Sequence, residues 1–367
     1  MSQSYKIRLY QPGEETKIVE LLDDAFHGWP HFDLQCPRLD HWRWKYEDNP
    51  VNRKMVIVGE SDQNIIGCSH GVYLRLKMGN RSLIAHQGVD LAVHKDFRDK
   101  GVFSKMIELK DKSLKEDHTN IYYVLSTAPI VTKHHIKIGR QQFPSPLKRQ
   151  IKIRDMNLHL KMVNPTRIRA YGYNVLKASN QLRNLLTPDQ FLGSKPDFEI
   201  SDLERFDERI DVFWNEIKGD YNFIVERDMS HLNWRYCDGR GGDYVVKQAT
   251  GNGNVLGYAV LRVDKYNPEY PVGYIIDLLA QPDRLDISDA LIRDADRWFT
   301  KLGVNVIQAM AIKGHPYEKL FARNNFLYDR RELSLLYTPM NVGEELNDFV
   351  NSNPAKLHFE FGDLDWI

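Results

Sequence analysis

The residues best suited to chemistry lie in one stretch, residues 90–106, where a strand pattern passes through a short loop into a helical pattern. The apolar strand ends at Val93, the loop carries Arg98, Lys100 and Gly101, and the helix begins directly after the glycine. The first turn of a helix presents unpaired backbone N–H groups and the positive end of the helix dipole. Glycine allows close backbone approach to an anion, and the two cations add charge. The stretch predicts a phosphate-binding loop, and an ordinary strand–turn–helix with surface cations is the alternative.

Two other nucleotide-binding classes are excluded by the residues of this loop. It lacks the glycine–lysine–serine/threonine ending of a P-loop and the three spaced glycines of a dinucleotide-binding turn. A second group with chemical potential is aromatic and comprises Trp29, Trp42, Trp44 and Tyr46. Such rings could stack on a sugar or aromatic acceptor, and core packing is the alternative because aromatic residues dominate buried area.

Composition narrows the class of protein further. The 367 residues carry 50 Lys+Arg and 50 Asp+Glu, which argues against a generally basic nucleic-acid binder. No apolar run is long enough to span a membrane, and the N-terminus lacks the apolar core of a signal peptide. Cys36, Cys68 and Cys237 are too far apart for a disulfide framework or a metal cluster. We expect a cytoplasmic protein of about two domains, without metal, nucleic-acid or membrane partners.

An internal repeat explains the number of domains. Residues 64–67 recur at 254–257 and residues 44–48 recur at 234–238, both after 190 positions. Asp90 has a counterpart in Asp277, and a weaker match keeps the order. Several matches in one order at nearly constant spacing indicate two copies of one domain. We expect domains at 1–163 and 197–340, a connecting helix and linker at 164–196, and a tail at 341–367.

The elements that must position these residues follow from periodicity. The first copy has strand patterns at 5–10, 55–58, 65–68, 82–93 and 121–125, and helical patterns at 14–26, 103–114 and 130–138. Helices that alternate with strands around a hairpin predict an α/β fold with a mixed sheet and flanking helices.

The loop and this element order resemble a known family. Arg98-x-x-Gly101-x-Phe103 after a strand is similar to the pyrophosphate loop Q/R-x-x-G-x-G/A of GNAT acyl-CoA N-acyltransferases, with Phe103 where the family usually has Gly or Ala. The segment 42–50 is similar to a substrate-side element of Eis-like GNAT proteins. The resemblance covers residues 5–155, and for 198–339 it depends on the repeat. It implies two tandem GNAT-like domains.

The resemblance implies a cofactor site for acetyl-CoA in the first copy. The pantetheine arm would pair with the end of the strand, and the pyrophosphate would lie on the amides of the loop and the first helical turn. The implied cofactor residues are Leu91, Ala92, Val93, Arg98, Asp99, Lys100, Gly101, Val102, Phe103, Ser104 and Lys105.

It also implies catalytic roles. The family commonly uses a tyrosine four residues before a glycine to protonate the leaving thiolate, and His135 holds that position before Gly139. Asp90 is the candidate base that deprotonates the acceptor amine. A surface histidine and an ion-paired strand residue are the alternatives for these two positions. Trp29, Trp44 and Tyr46 are the candidate acceptor-binding residues.

The second copy lacks these features. Its loop has no glycine, Asp283, Asp286 and Asp289 would repel a pyrophosphate, and Phe321 at the donor position cannot donate a proton. We therefore expect the second copy to be non-catalytic and to shape the acceptor groove. The acidic tail could fold over that groove and offer Asp363 or Asp365 to the amine.

These observations predict an N-acetyltransferase that transfers acetyl from acetyl-CoA to a primary amine of a small molecule such as an amino sugar, by direct attack in a ternary complex. One alternative is a non-catalytic GNAT-like module that binds acyl-CoA or another ligand. A second is a Fem-type aminoacyl transferase. The acceptor, the acyl chain length and the oligomeric state stay open.

Overall fold

The computed structural model describes residues 4–30, 34–126, 129–163, 196–265, 267, 269–329 and 333–364, with separate positions between 172 and 182. The predicted linker 164–196 therefore lies largely outside the described residues. Within the described part of the chain, no helix is both long and apolar enough to cross a membrane.

The N-terminal half begins with a strand, two helices and a three-stranded meander, followed by alternating helices and strands. Its elements are β1 Lys6–Leu9, α1 Glu15–Phe26, α2 Arg38–Tyr46, β2 Ile57–Ser61, β3 Asn64–Met78, β4 Arg81–Val93, α3 Val102–Glu116, β5 Ile121–Ser126, α4 Pro129–Lys137, β6 Gln141–Gln142, β7 Leu147–Ile153 and α5 Met156–Val163.

The C-terminal half repeats this order. Its elements are β8 Glu199–Leu203, α6 Arg209–Ile217, β9 Phe223–Val225, α7 Met229–Leu232, β10 Val245–Gly251, β11 Asn254–Asp264, β12 Val272–Ala280, α8 Leu285–Lys301, β13 Val306–Ile312, α9 Pro316–Arg323, β14 Leu327–Tyr328, β15 Ser334–Pro339, α10 Glu345–Val350 and β16 Leu357–His358.

The strands form two mixed sheets, which confirms the predicted fold class. The main path of the first sheet has the order β1-β2-β3-β4-β5-β15-β6, and that of the second is β14-β7-β13-β12-β11-β10-β8. On the main path of each sheet one parallel pair, β4 with β5 or β12 with β13, lies among antiparallel neighbours. The two sheets fit two tandem domains of one fold.

Strands from the other half of the chain occur in both sheets: β9, β15 and β16 in the first sheet and β7 in the second. β15 pairs with β5 and β6 in the first sheet, and β7 pairs with β13 and β14 in the second. The boundaries at 163 and 197 remain predictions about folding units, because the strand exchange connects the two sheets through hydrogen bonds.

The helices pack on the two faces of the first sheet. α1 buries Ile18, Leu21 and Leu22 in the main core, whereas α3 buries Val102 and Met106 in a cluster on the other face. Both helices have the apolar stripe that their periodicity predicted. The main core contains residues of both halves, so the halves share one hydrophobic interior.

Helix α2 was not among the predicted elements. Its residues His41, Trp42, Trp44, Lys45 and Tyr46 are all buried, on several sides of the helix. Its exposed polar side is narrow and includes Asp40 and Arg43. The sequence therefore lacks the broad division into an apolar and a polar face that identifies an amphipathic helix.

Candidate functional site

The most distinctive feature of the first sheet is an opening between β4 and β5. The two strands pair only over Ala85–Gln87 and Ile121–Tyr123, after which they separate. β4 continues to Val93 and stays paired with β3 on its other edge. Among the described residues no strand pairs with the free edge of β4 beyond Gln87, so its backbone groups are available to an extended ligand.

A β-bulge lies at the centre of this free edge. The register between β3 and β4 shifts between Cys68, which pairs with Ala92, and His70, which pairs with Val89. Asp90 and Leu91 together lie opposite the single residue Ser69, and Asp90 has a φ of 43°. A bulge leaves an unpaired residue and redirects the backbone, and bulges are frequent next to active sites.

The N-terminus of α3 follows this strand. Gly101 precedes the helix with a φ of 80°, which favours glycine, and no side chain caps the first turn. The first turn contains no acidic residue. The Tyr5 hydroxyl donates to the carbonyl of Lys100 at 2.7 Å and so holds the loop from outside. The first turn thus has the free N–H groups that the predicted phosphate-binding loop requires, and its role in binding an anion stays a prediction.

The predicted cofactor residues therefore meet at one end of the opening. Leu91–Val93 form its β4 edge, and residues 98–105 form the loop and the first turn of α3. The exposed Arg98 donates from Nε to the carbonyl of Val93 at 3.3 Å. Phe103 packs against the imidazole of His134 on α4, with ring centroids 4.9 Å apart, so α3 and α4 flank the opening.

His135 lies on α4, and only 5% of its surface is exposed. Its Nδ1 atom has no hydrogen-bond partner among the described residues. Burial, together with the positive charge of Arg140, lowers the pKa of this imidazole to about 4. The ring is therefore neutral at pH 7.

Three further residues under α3 had not been predicted. Lys110 is 1% exposed and donates from Nζ to Ser69 Oγ at 2.7 Å. Burial lowers its pKa to about 7, even though Asp111 acts in the opposite direction. Tyr122 and His86 lie beside it on β5 and β4, and both nitrogens of His86 have no partner in the described part of the chain.

One sequence signal could have identified Lys110. It occupies the apolar stripe of α3 between Met106 and Leu114, a position where a charged residue is rarely buried without a specific reason. Tyr122 and His86 carry no comparable signal, because a tyrosine and a histidine are common in half-apolar strands.

Asp90 faces the other side of the sheet and forms a buried ion pair. Its Oδ2 accepts from Lys45 Nζ at 2.8 Å and from the Tyr46 hydroxyl. Burial alone would raise its pKa, but the positive charge of Lys45 and the hydrogen bonds from Lys45 and Tyr46 lower it to about 2. The carboxylate is therefore ionised at neutral pH.

The predicted acceptor-binding aromatic residues are buried. Trp44 stacks on its repeat counterpart Trp234 with centroids 5.0 Å apart, and each indole N–H donates to the other's carbonyl, at 2.9 and 3.0 Å. Tyr46 is held by Asp90, and Trp29 packs edge-on against His41. The repeated motif therefore forms a nearly two-fold contact between the halves.

A cleft lies beside this contact. It is partly open to solvent and is lined on the first half by Trp44, Lys45 and Gln87. Trp234 and Arg235 line the other half, and the tail adds Gly362 and Leu364. The cleft thus lies on the α2 face of the first sheet, beside Gln87, the last β4 residue that pairs with β5. Only Trp44 of the three predicted acceptor-binding residues lines it.

The corresponding opening in the second sheet is filled. β12 and β13 pair only over Val272–Tyr274 and Val306–Gln308, as β4 and β5 do. Here residues 357–363 of the tail lie against both strands, and Phe361 packs on Tyr274 at 6.0 Å. The loop that follows, residues 281–284, leads into a helix whose first turn contains an acidic residue.

The tail folds back to the interface between the halves, as expected. The Asp363 carboxylate is 1% exposed and accepts from Arg227 at 2.7 Å, which binds it within the second half. The Tyr123 hydroxyl donates to its backbone carbonyl at 2.9 Å. Asp365 lies outside the described residues. No group of three or more histidine, cysteine or acidic residues that could hold a metal occurs in the described part of the chain.

Comparisons with solved structures show the same fold. A conserved protein from Enterococcus faecalis V583, described as a probable N-acyltransferase, matches with a TM-score of 0.62 and 9% identity, over 92% of this chain and 73% of that one. Saccharomyces cerevisiae N-myristoyltransferase with bound myristoyl-CoA and inhibitors matches with a TM-score of 0.59 and 11% identity, over 98% and 87%. A GCN5-related N-acetyltransferase from Anabaena variabilis ATCC 29413 matches with a TM-score of 0.60 and 9% identity, over 92% and 73%.

Sequence comparison locates the family signal in the N-terminal half. A comparison with curated proteins finds no significant match. The model of the acetyltransferase (GNAT) domain matches residues 6–133, which contain the opening, the bulge and the α3 loop. This stretch of the chain is therefore similar to a GNAT acetyltransferase domain.

Proposed function

We propose that this protein is an acyl-CoA-dependent N-acyltransferase that transfers an acetyl group to a primary amine of a small molecule, such as an amino sugar. One observation carries the proposal: the free edge of β4 leads directly to the uncapped N-terminus of α3. An extended pantetheine arm with a pyrophosphate at its end needs these two features next to each other. The GNAT match over residues 6–133 supports it.

The second half would shape the acceptor site without binding a cofactor. Its opening is filled by the tail, and its helix N-terminus contains Asp286, so neither pantetheine nor pyrophosphate finds a place there. The cleft between the halves would hold the amine on the face of β4 opposite α3. The similarity to an Eis-like tandem arrangement is part of this proposal.

The reaction would proceed by direct attack. The amine nitrogen forms a bond to the thioester carbonyl carbon, the carbon–sulfur bond breaks, and the thiolate takes a proton. The ionised Asp90 carboxylate would attract the acceptor ammonium group, but a pKa of about 2 makes it a weak base. Water would then accept the amine proton.

The reaction also needs a group that donates a proton to the leaving thiolate. His135 is the residue that the family pattern indicates, but a pKa of about 4 leaves its ring neutral at pH 7. Lys110, with a pKa of about 7, is partly protonated there and lies between β3 and β5 on the α3 side of β4. We propose Lys110 as the donor and His135 as a hydrogen-bonding neighbour.

The test begins with calorimetric titration of acetyl-CoA into the wild type and Gly101→Glu. The carboxylate would sit at the proposed pyrophosphate site, and we expect affinity to fall by about tenfold or more. Gly303→Glu is the matched control, because Gly303 also has a positive φ of 69° with open space around it but lies in the second half. Its affinity should equal that of the wild type.

Failure of the wild type to bind acetyl-CoA would refute the proposal. Release of CoA thiol with a panel of amino sugars, polyamines and amino acids then tests turnover. The non-catalytic acyl-CoA-binding module is the second candidate, favoured by the low pKa values of Asp90 and His135. Binding without CoA release across the panel would support that candidate.

A further inference from the structure

We propose that Tyr122 limits the acyl group of the donor to a short chain by closing the α3 side of the opening between β4 and β5. The inference depends on the proposed function, because it assumes that the acyl thioester lies where these strands separate. It names the class of donor that the site accepts.

Tyr122 lies against the backbone at the point of separation. Gln87 and Tyr123 form the last residue pair between the strands, so Gly88 is the first β4 residue beyond it. A Cβ atom on Gly88 would lie 2.2 Å from the Tyr122 hydroxyl oxygen and 2.7 Å from the ring carbon that carries it. The tyrosine therefore occupies the volume that a side chain at residue 88 would otherwise fill.

The ring is held from several directions. The His86 imidazole stacks on it at 5.9 Å with an interplanar angle of 23°. The Arg140 guanidinium carbon lies 4.2 Å from its centroid, and the Lys110 ammonium nitrogen lies 5.4 Å from it. Tyr122 itself is 1% exposed. Rotation of the ring out of the opening would disrupt all of these contacts.

Arg140 is itself anchored, which makes the closure rigid. One guanidinium nitrogen donates to Asp111 at 2.6 Å, and another donates to the Thr338 hydroxyl of β15 at 2.9 Å. The strand exchanged from the second half thus helps to fix the ring.

In the proposed function the amine lies in the cleft on the α2 face of the sheet. An acyl substituent that extends away from the attacking nitrogen then points toward the α3 face, where Tyr122 lies beside Lys110. An acetyl methyl group needs little room there. A longer chain would collide with the ring. The side chain of Tyr122 therefore sets the steric limit. The backbone does not, because Gly88 has no side chain of its own.

Calorimetric titration with acetyl-CoA and octanoyl-CoA tests this. The wild type should bind octanoyl-CoA at least about tenfold more weakly than acetyl-CoA. Tyr122→Ala should improve octanoyl-CoA affinity by about tenfold, the gain expected from burial of about two more methylene groups. Its acetyl-CoA affinity should change by less than about threefold. If the alanine variant does not fold, Tyr122→Leu opens part of the same volume.

Two controls isolate the ring at this position. Tyr122→Phe keeps the ring and should keep the wild-type preference. Tyr73→Ala removes an equally buried tyrosine from the apolar cluster that contains Tyr122. The Tyr73 ring packs on His86 with centroids 4.8 Å apart, but it lies on β3, away from the opening. It should not improve octanoyl-CoA binding.

The outcomes separate the two proposals. Equal affinity of the wild type for both donors would overturn the inference. So would a folded Tyr122→Ala variant that binds acetyl-CoA without gaining octanoyl-CoA affinity. Either result would leave the proposed function intact. Absence of binding to any acyl-CoA in the wild type would instead refute the proposed function.

Discussion

At the scale of single residues, the buried amine of Lys110 is the most informative group in the N-terminal half. Its ammonium group donates to the Ser69 hydroxyl at 2.7 Å, and a neutral hydroxyl does not compensate for a buried positive charge. Proteins keep such a group at a cost in stability, and perturbed pKa values concentrate at functional sites. The lowered pKa on which its proposed role as proton donor depends can therefore be measured through the pH dependence of the free energy of unfolding.

We predict that Lys110→Met stabilises the protein, and that the gain is largest below pH 7. The folded-state pKa is lowered to about 7 from the ordinary 10.5, so the unfolded chain binds more protons between these values. Wild-type stability therefore rises with pH relative to the variant, by about 1.4 kcal/mol per pH unit through this window. Urea unfolding at several pH values between 6 and 10 measures the difference.

Lys112→Met is the control for this series, because Lys112 lies on the same helix with 70% of its side chain exposed. Its stability difference from the wild type should be nearly independent of pH. A constant difference for Lys110→Met would contradict the lowered pKa. In turnover assays, Lys110→Met should lose more activity than His135→Phe if Lys110 is the donor.

At the scale of elements, the first turn of α3 lacks two features that would stabilise the helix. It has no side-chain cap and no acidic residue among its own residues. The bulge in β4 interrupts regular strand pairing in the same region. Local structure here departs from the most stable arrangement where an anionic ligand would supply the missing interactions.

We predict that Ser104→Glu has opposite effects on stability and binding. A carboxylate in the first turn complements the helix dipole and should raise the free energy of unfolding by about 0.3–1 kcal/mol. The same charge should weaken acetyl-CoA binding by about tenfold through repulsion of the pyrophosphate. Thermal unfolding and calorimetry on one sample measure both quantities.

Ser113→Glu provides the matched comparison at the opposite end of the same helix. There the carboxylate opposes the dipole, so stability should fall slightly while acetyl-CoA affinity stays at the wild-type value. If Ser104→Glu bound acetyl-CoA as tightly as the wild type, the N-terminus of α3 would not be the pyrophosphate site.

At the scale of the whole molecule, the two halves are joined in three ways. They exchange strands β7 and β15, they share one hydrophobic core, and their repeated tryptophans Trp44 and Trp234 hydrogen-bond to each other. The tail adds a fourth connection, because it fills the opening of the second sheet and reaches Tyr123 of the first. The second half therefore supports the fold around the proposed site, while the tail fills its own opening.

We predict that residues 1–163 expressed alone do not reach a native fold. Without β15 the edge of β5 is exposed beside the opening, and β7 loses its partner β13. Co-expression with residues 196–367 should restore a soluble complex that binds acetyl-CoA. Circular dichroism and calorimetry would report each state. A cooperative unfolding transition and acetyl-CoA binding by residues 1–163 alone would instead support an independent domain.

Much of the fold and part of the site could be predicted from the sequence, because their signals are local. Helix α3 and strand β4 were predicted within two residues of their ends, since an apolar stripe and an alternating strand depend on neighbouring positions. The loop at residues 98–105 was identified for the same reason: the strand, the glycine and the helix start are contiguous in the chain. The repeat likewise needed no structure to be detected.

The tertiary structure alone decided what lies around that loop. The cluster of Tyr122, His86 and Lys110 combines two strands and a helix, and the exchange of β7 and β15 depends on pairing between distant segments. The environments of Asp90 and His135 also depend on burial and on charges from other elements, which set their pKa values. Sequence by itself therefore determined most of the elements, the repeat and the glycine loop before α3. Long-range packing decided which groups surround the opening and how burial and charge shift their pKa values, because burial and charge are properties of the assembled core.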